Sequence, residues 1–323
     1  MLSKVSLNNT DLVVSQLCYG TNGLGTAVDQ ATADAILDRF AALGGNFLDT
    51  ARSYGDWVPT APAGASERAI GAWLKTKNRK DFVLATKGGF FDLRAGDWRD
   101  RLTPDEIAKD IGDSLEHLGV DTIDLYWLHT DNPQTPVGTL IDALIGHEKA
   151  GRIRYFGASN WSPDRILEAQ NYAKSVGHRG FVAVQPFWGL ARPNPEGAAA
   201  QGYGHYYDAG FAAVQEAGLA VVPYAGQSRG YFTKVDSEGE GALRDDLKAM
   251  YLNDTNRARL KVVQAIAKQH GVTINEVVLA YLVSQPRQTI PIIGASRPEQ
   301  LEDSVKAVDL KLTSDELEAL QAA

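Results

Sequence analysis

Asp49, Tyr54, Lys87 and His129 are a carboxylate, a phenol, an ammonium and an imidazole, and each closes or closely follows a short apolar run. Asp49 stands in NFLDT (46–50), Lys87 ends FVLATK (82–87), and His129 ends DLYWLH (124–129). Tyr54 lies in the loop DTARSYG that leaves the first of these runs. A phenol is a weak acid at neutral pH, but a neighbouring ammonium stabilises its anion, and a carboxylate keeps that ammonium charged and aimed. Tyr54 could then give a proton to a carbonyl oxygen while His129 supplies a second hydrogen bond that polarises and orients the same oxygen. None of the four needs to act as a nucleophile. The other histidines (His117, His147, His178, His205 and His270) are scattered and Cys18 is the single cysteine, so no metal site is expected. Protonating a carbonyl without covalent chemistry requires a hydride from elsewhere, which points to a nicotinamide. Taken singly, the four have structural readings: a turn cap, a solvated lysine, a loop-packing tyrosine, a strand-end histidine satisfied by backbone. Their common position at the ends of strand-like runs sets them apart.

Those runs recur along the chain. QLCYG (16–20), NFLDT, FVLATK, DLYWLH, IRYFGAS (153–159), FVAVQ (181–185), LAVVPY (219–224) and TIPIIGA (289–295) make eight strand candidates, with helical periodicity in the stretches between. Thr103-Pro104-Asp105-Glu106 and Ser162-Pro163-Asp164 are helix starts, with an N-cap, a proline in the first turn and an acid behind it. Strands alternating with helices imply an α/β protein with a parallel sheet, and eight without a linker predict a closed (β/α)8 TIM barrel in a single domain, residues 1–323. The competing architecture is an open doubly wound sheet, but no GxGxxG follows the first strand. Residues 3–15 predict an N-terminal β-hairpin that plugs the barrel bottom, and Thr313 to Leu320 an extra C-terminal helix. In such a barrel, polar residues at the C-terminal strand ends meet at one mouth.

Composition narrows the partners. The chain has 323 residues, 44% hydrophobic and 22% charged, with 32 Lys+Arg against 40 Asp+Glu for a net charge of -8. No basic run could track a phosphate backbone, so nucleic acid is not expected as a partner. The start shows no signal-peptide pattern and no stretch approaches a membrane span, which with the lone cysteine leads to the expectation of a soluble, cytoplasmic protein acting on a small molecule.

The segments FLDTARSYG, ATKGG, DLYWLH, GASN and IPIIGASRPEQLED, in that order, resemble the aldo-keto reductase superfamily, over essentially the whole chain. The resemblance implies reduction of aldehydes or ketones to alcohols, or oxidation of alcohols or sugars in reverse, with NADPH/NADP+ or alternatively NADH. A non-catalytic cofactor-binding regulatory module of the same fold is the other class it leaves open. By resemblance, Asp49, Tyr54, Lys87 and His129 are the catalytic residues. Ser159, Asn160 and Gln185 correspond to the trio that holds the nicotinamide carboxamide, and Tyr224 to the aromatic residue that stacks on its ring. Gly294, Ala295, Ser296, Arg297 and Gln300 resemble the loop around the adenosine phosphate, and Gly20 and Thr21 the first-strand residues that approach the cofactor. Two departures stand out: Ala225-Gly226-Gln227 replaces the familiar Ser-Pro-Leu, leaving Gln227, Ser228 or Arg229 to take over near the pyrophosphate, and Ser304 replaces an asparagine near the adenine.

The substrate side transfers least, because the loop after Tyr54 carries the extra length DWVPTAPAGAS. Trp57, Trp98 and Trp188 fall in segments that follow strands and either line an apolar or sugar-binding pocket or anchor their loops. Arg52, Asp56 and Asp131 are expected near the same mouth, where they would suit a hydroxylated substrate.

Overall fold

The computed structural model describes all residues, Met1–Ala323. A two-stranded antiparallel hairpin, β1 (Lys4–Ser6) and β2 (Val13–Ser15), precedes an eight-stranded parallel sheet. That sheet comprises β3 (Cys18–Gly20), β4 (Phe47–Asp49), β5 (Val83–Gly88), β6 (Ile123–Leu128), β7 (Ile153–Ser159), β8 (Ala183–Gln185), β9 (Ala220–Val221) and β10 (Ile292–Ile293). Its spatial order is β10-β3-β4-β5-β6-β7-β8-β9. Between the two ends, Val221 N–H donates to Gln288 O (2.9 Å), Ile290 N–H to Val221 O (2.8 Å) and Ile292 N–H to Pro223 O (2.9 Å), closing the (β/α)8 barrel.

Around it run α1 (Gln30–Ala42), α2 (Ala65–Leu74), α3 (Pro104–Leu118), α4 (Val137–Lys149), α5 (Pro163–Ser175), α6 (Pro195–Ala200) and α7 (Ala212–Glu216). The chain continues through α8 (Tyr231–Glu238), α9 (Asp245–Tyr251), α10 (Asp254–His270), α11 (Ile274–Val283), α12 (Glu299–Lys306) and α13 (Ser314–Ala322), the extra terminal helix. α3 starts as its sequence predicts: Thr103 accepts from the Glu106 N–H, and Glu106 reaches back to the Thr103 N–H. None of the helices is long and apolar enough to cross a membrane.

All eight strand runs form, several of them shorter than their apolar length, and in two of these proline is the cause. LAVVPY yields only Ala220–Val221 and TIPIIGA only Ile292–Ile293, because Pro223 and Pro291 have no N–H for the ladder.

Strand side chains alternate between two cores. Phe47, Val83, Ala85, Leu125, Trp127, Ala183 and Ala220 point into the barrel, where Leu7, Leu12 and Val14 of the hairpin segment pack against them from below. Leu48, Leu84, Tyr126, Leu128, Phe156, Ala158 and Val184 point out to the helices. Trp127 fits the narrow lumen because its neighbour across the ladder is Gly157, where a Cβ would lie 2.5 Å from the indole ring. Continuing the inward period of two past the apolar layers reaches Gly20, Asp49, Lys87, His129, Ser159, Gln185 and Tyr224. The alternation that fills the lumen with hydrocarbon therefore delivers polar groups to its upper rim.

Candidate active site

Asp49 and Lys87 are almost wholly buried at the top of the lumen, on adjacent strands. Lys87 Nζ donates to Asp49 Oδ2, to Thr50 O (2.7 Å) and to the Tyr54 hydroxyl (3.0 Å). The other carboxylate oxygen, Oδ1, accepts from Trp127 Nε1 (3.1 Å) and, across the barrel, from Gln185 Nε2 (2.9 Å). Burial alone would lower the Lys87 pKa, but Asp49 and Tyr54 together outweigh it and hold the ammonium above its usual range, so it is charged.

Tyr54 differs from the simple expectation. Burial raises the phenol pKa more than the Lys87 charge lowers it, so the group lies above the ordinary phenol range. The Lys87 charge offsets part of the effect of burial, and Tyr54 is neutral at physiological pH.

His129 lies beside Tyr54, ring centroids 5.9 Å apart and planes nearly perpendicular. Burial, then the Lys87 charge, hold the imidazole well below its usual pKa, so it is neutral. Its Nδ1 is buried without a hydrogen-bond partner. A buried bare lone pair is easier to tolerate than an unpaired N–H, so the surroundings assign the proton to Nε2, the nitrogen that a molecule in the cavity can reach.

The cavity has a volume of about 840 Å³ and extends from Tyr54, Phe90 and His129 to Ser296, Gln300 and Asp303. Gly20, Thr21, Asp49, Ser159, Asn160, Gln185, Tyr224, Gly294, Ala295, Ser296 and Gln300 all line it, so most of the residues singled out in the sequence share one surface. Ser159 Oγ donates to Gln185 O (3.0 Å), and Gln185, its Nε2 occupied by Asp49, keeps its amide oxygen for an incoming N–H. The Tyr224 ring lies parallel to those of Phe187 (5.6 Å) and Tyr203 (5.9 Å), a stacked aromatic wall. A flat ring bearing a carboxamide matches this end of the cavity.

At the far end, the Gln227 amide is bonded within the protein: its Oε1 accepts from Gly294 N–H (3.0 Å) and its Nε2 donates to Asn275 Oδ1 (3.0 Å) and Ser304 Oγ (3.2 Å). Gln300 Oε1 accepts from Ser296 N–H (2.7 Å). Arg229 brings a guanidinium to the wall, anchored on Gln201 Oε1 (2.6 Å) and Asp246 Oδ2 (2.6 Å), while Ser228 turns inward to accept from Ala191 N–H (3.3 Å). The cations Arg229 and Lys234 on this wall suit a pyrophosphate, and a cavity that runs from the aromatic wall to Gln300 fits a nicotinamide dinucleotide.

Asn160 donates to His129 O (2.9 Å) and Ser159 Oγ (3.3 Å) and accepts from the Tyr224 hydroxyl (2.6 Å), which leaves its Oδ1 one further lone pair on the cavity side. Other expectations are corrected. Trp188 does not line the cavity: it is 5% exposed and stacked on Tyr207 at 4.2 Å. Trp57 (51% exposed, edge-on to Tyr54 at 6.1 Å) and Trp98 (70% exposed, against Phe91 at 6.0 Å) sit outside the cavity lining. Arg52 and Asp56 pair with each other (3.3 Å), Arg94 also holds Asp56 (2.7 Å), and Asp131 pairs with Arg165 (3.0 Å), so these charges tie loops together instead of facing a substrate. Arg297 is exposed just beyond Ser296 and outside the lining. Phe90, Gln201, Tyr203 and Lys234 also line the cavity; Phe90, Gln201 and Tyr203 are signalled in the sequence only by lying after strands, and Lys234, within α8, by nothing.

A barrel whose strand ends carry a buried acid–ammonium–phenol relay beside a neutral imidazole has the make-up of a carbonyl–alcohol oxidoreductase. Comparison with known proteins agrees: residues 16–323 match the model of the Aldo/keto reductase family, and the chain belongs to that family. It is 30% identical to the Aldo-keto reductase yakc [NADP(+)] of Schizosaccharomyces pombe, over 98% of this chain and 89% of that one. It is 30% identical to the Aldo-keto reductase ausK of Aspergillus calidoustus, covering 96% of this chain and 78% of the relative. The Uncharacterized oxidoreductase YrpG of Bacillus subtilis is 29% identical, covering 97% and 93%.

Proposed function

We propose that this oxidoreductase reduces the carbonyl group of a small aldehyde, ketone or sugar, or oxidises the corresponding alcohol, with NADPH/NADP+ as the hydride carrier. The observation that carries this reading is the Lys87–Tyr54 hydrogen bond at the end of a cavity that extends as far as Gln300. The nicotinamide, when bound, supplies the hydride. Ser159 and Gln185 orient its carboxamide, and Tyr224 flanks its ring. The substrate oxygen lies between the Tyr54 hydroxyl and His129 Nε2–H. As negative charge builds on that oxygen, Tyr54 gives up its proton and Lys87, held by Asp49, stabilises the phenolate left behind. In the alcohol direction the phenolate takes the proton back. A panel of aldehydes, ketones and sugars, followed by loss of the reduced-nicotinamide absorbance, tests the reading. Turnover of several carbonyl compounds supports it; tight nucleotide binding with no turnover of any of them would overturn it.

The preference for NADPH rests on Arg297, which follows the cavity-lining Ala295 and Ser296 and precedes α12, and on the NADP(+) in the name of the S. pombe relative. A guanidinium there would pair with the 2′-phosphate through charge-assisted hydrogen bonds worth about 1.5–3 kcal/mol. That corresponds to an NADPH preference of roughly ten- to a hundredfold. Arg297→Ala is expected to abolish the preference by weakening NADPH and leaving NADH nearly unchanged, measured by fluorescence titration of both nucleotides. Equal wild-type affinities, or equal weakening of both, would remove Arg297 from this role.

A further inference from the structure

His129 is an imidazole whose orientation no side-chain hydrogen bond fixes. Reactive histidines are ordinarily aimed through one ring nitrogen by a partner on the other. Here Nδ1 is buried and has none. The backbone is secured, since His129 N–H donates to Gly88 O (2.9 Å) and its carbonyl accepts from Asn160 Nδ2 (2.9 Å), but neither bond restrains rotation of the ring. Two aromatic rings pack against it. Phe90 covers it with centroids 4.4 Å apart and planes tilted by 30°, and Tyr54 presents an edge.

Phe90 is itself held from behind. Its ring rests against Phe91 at 4.7 Å. The N–H of the preceding Gly89 donates to Asp110 Oδ2 (2.9 Å), a buried carboxylate that also accepts from Arg101 (3.2 Å). Gly89 has φ +81°, and a Cβ there would lie 2.6 Å from a Leu102 methyl, so the segment is pressed into one conformation that glycine alone accommodates. A single stretch, Lys87–Phe90, thus ends a strand with the ammonium that holds Tyr54 and carries, three residues on, the ring that lies on His129.

We infer that Phe90 is the positioning residue for His129: stacking, in place of a hydrogen bond to Nδ1, sets the direction in which Nε2–H points. The inference rests on the proposed carbonyl chemistry for its kinetic consequence, but not for its structural one. The competing role for Phe90 is that of an inert cavity wall.

The test combines kinetics with ring-nitrogen NMR. Phe90→Ala is expected to lower kcat by about ten- to a hundredfold, a misaimed group being costly at that scale, with nucleotide affinity unchanged. Phe90→Tyr should restore most of the rate, because it keeps the stacked ring, whereas the apolar Phe90→Leu should not. In a His129→Gln background Phe90→Ala should cost little more, since both changes remove one interaction. Full activity in Phe90→Leu, or additive losses in the double variant, would overturn the inference. Long-range ¹H–¹⁵N spectra of the nucleotide-free protein, assigned by the loss of signals in His129→Gln, should give one sharp set of His129 ring signals in the wild type and exchange-broadened ones in Phe90→Ala. Unchanged shifts and line widths in Phe90→Ala would also overturn it. The spectra need no turnover, so a protein that reduces no carbonyl compound would refute the proposed function while leaving this inference to be decided. If Phe90→Ala does not fold, Phe90→Leu replaces it throughout.

Discussion

Tyr54→Phe should lower carbonyl reduction by about 10²–10⁴-fold, the usual worth of a positioned proton donor, while nucleotide affinity stays within a factor of about two. The two effects separate because the phenolic proton matters only as charge develops on the substrate oxygen, not while the nucleotide binds. The ring itself stays, so its edge against His129 and its contact with Trp57 survive the substitution. Single-turnover rates with saturating nucleotide make the comparison. A variant that keeps more than about a tenth of the wild-type rate would show that another group delivers the proton.

Lys87→Met should cost carbonyl reduction a comparable factor and, in addition, move the pH profile of alcohol oxidation. The sign follows from the balance at Tyr54. Burial raises the phenol pKa and the Lys87 ammonium is the largest influence lowering it, so without Lys87 the pKa climbs further. Alcohol oxidation needs the phenolate, which is populated only above that pKa, so its alkaline rise is displaced to higher pH. Carbonyl reduction needs the phenol, which stays protonated through neutrality, so its rate drops without an acid-side shift. An oxidation profile that kept its position or moved to lower pH would contradict the Lys87–Tyr54 assignment. The variant also leaves Asp49 without a counter-charge in the barrel interior, and breaking one side of a buried pair costs about 3–5 kcal/mol. Because Trp127 and Gln185 still donate to Asp49, the stability loss should fall toward the lower end, to be checked by chemical denaturation.

The convergence of Asp49, Lys87 and His129 at the mouth is legible in the sequence because a period-two pattern and a barrel are enough to aim them. Residues 47, 83, 85, 125 and 127 fill the lumen, so 49, 87 and 129 had to reach the mouth. Tertiary partners decided the rest. Trp188 reads as a loop aromatic, yet it is buried by Tyr207 from a segment with no strand-like period, and nothing near it in sequence announces that contact. Arg52, Asp56 and Asp131 read as substrate-facing charges, but partners at 94 and 165 consume them. The lowering of the phenol pKa by the ammonium is legible in the sequence, since Lys87 is visible as a residue type, whereas the larger raising by burial depends on tertiary surroundings.

The Asp49 carboxylate receives Lys87 from β5, Trp127 from β6 and Gln185 from β8, and is itself carried on β4. Half of the staves are therefore knotted at one residue, and apart from Tyr54 no strand-to-helix connection takes part in the knot by its side chain. The rim bearing Trp57, Phe91 and Trp98 belongs to other segments, latched to one another by Arg94. The molecule in this sense has two separately braced parts, a chassis built into the strands and a collar of loops above it, so a change that loosens the Asp56–Arg94 latch should leave the knot at Asp49 in place.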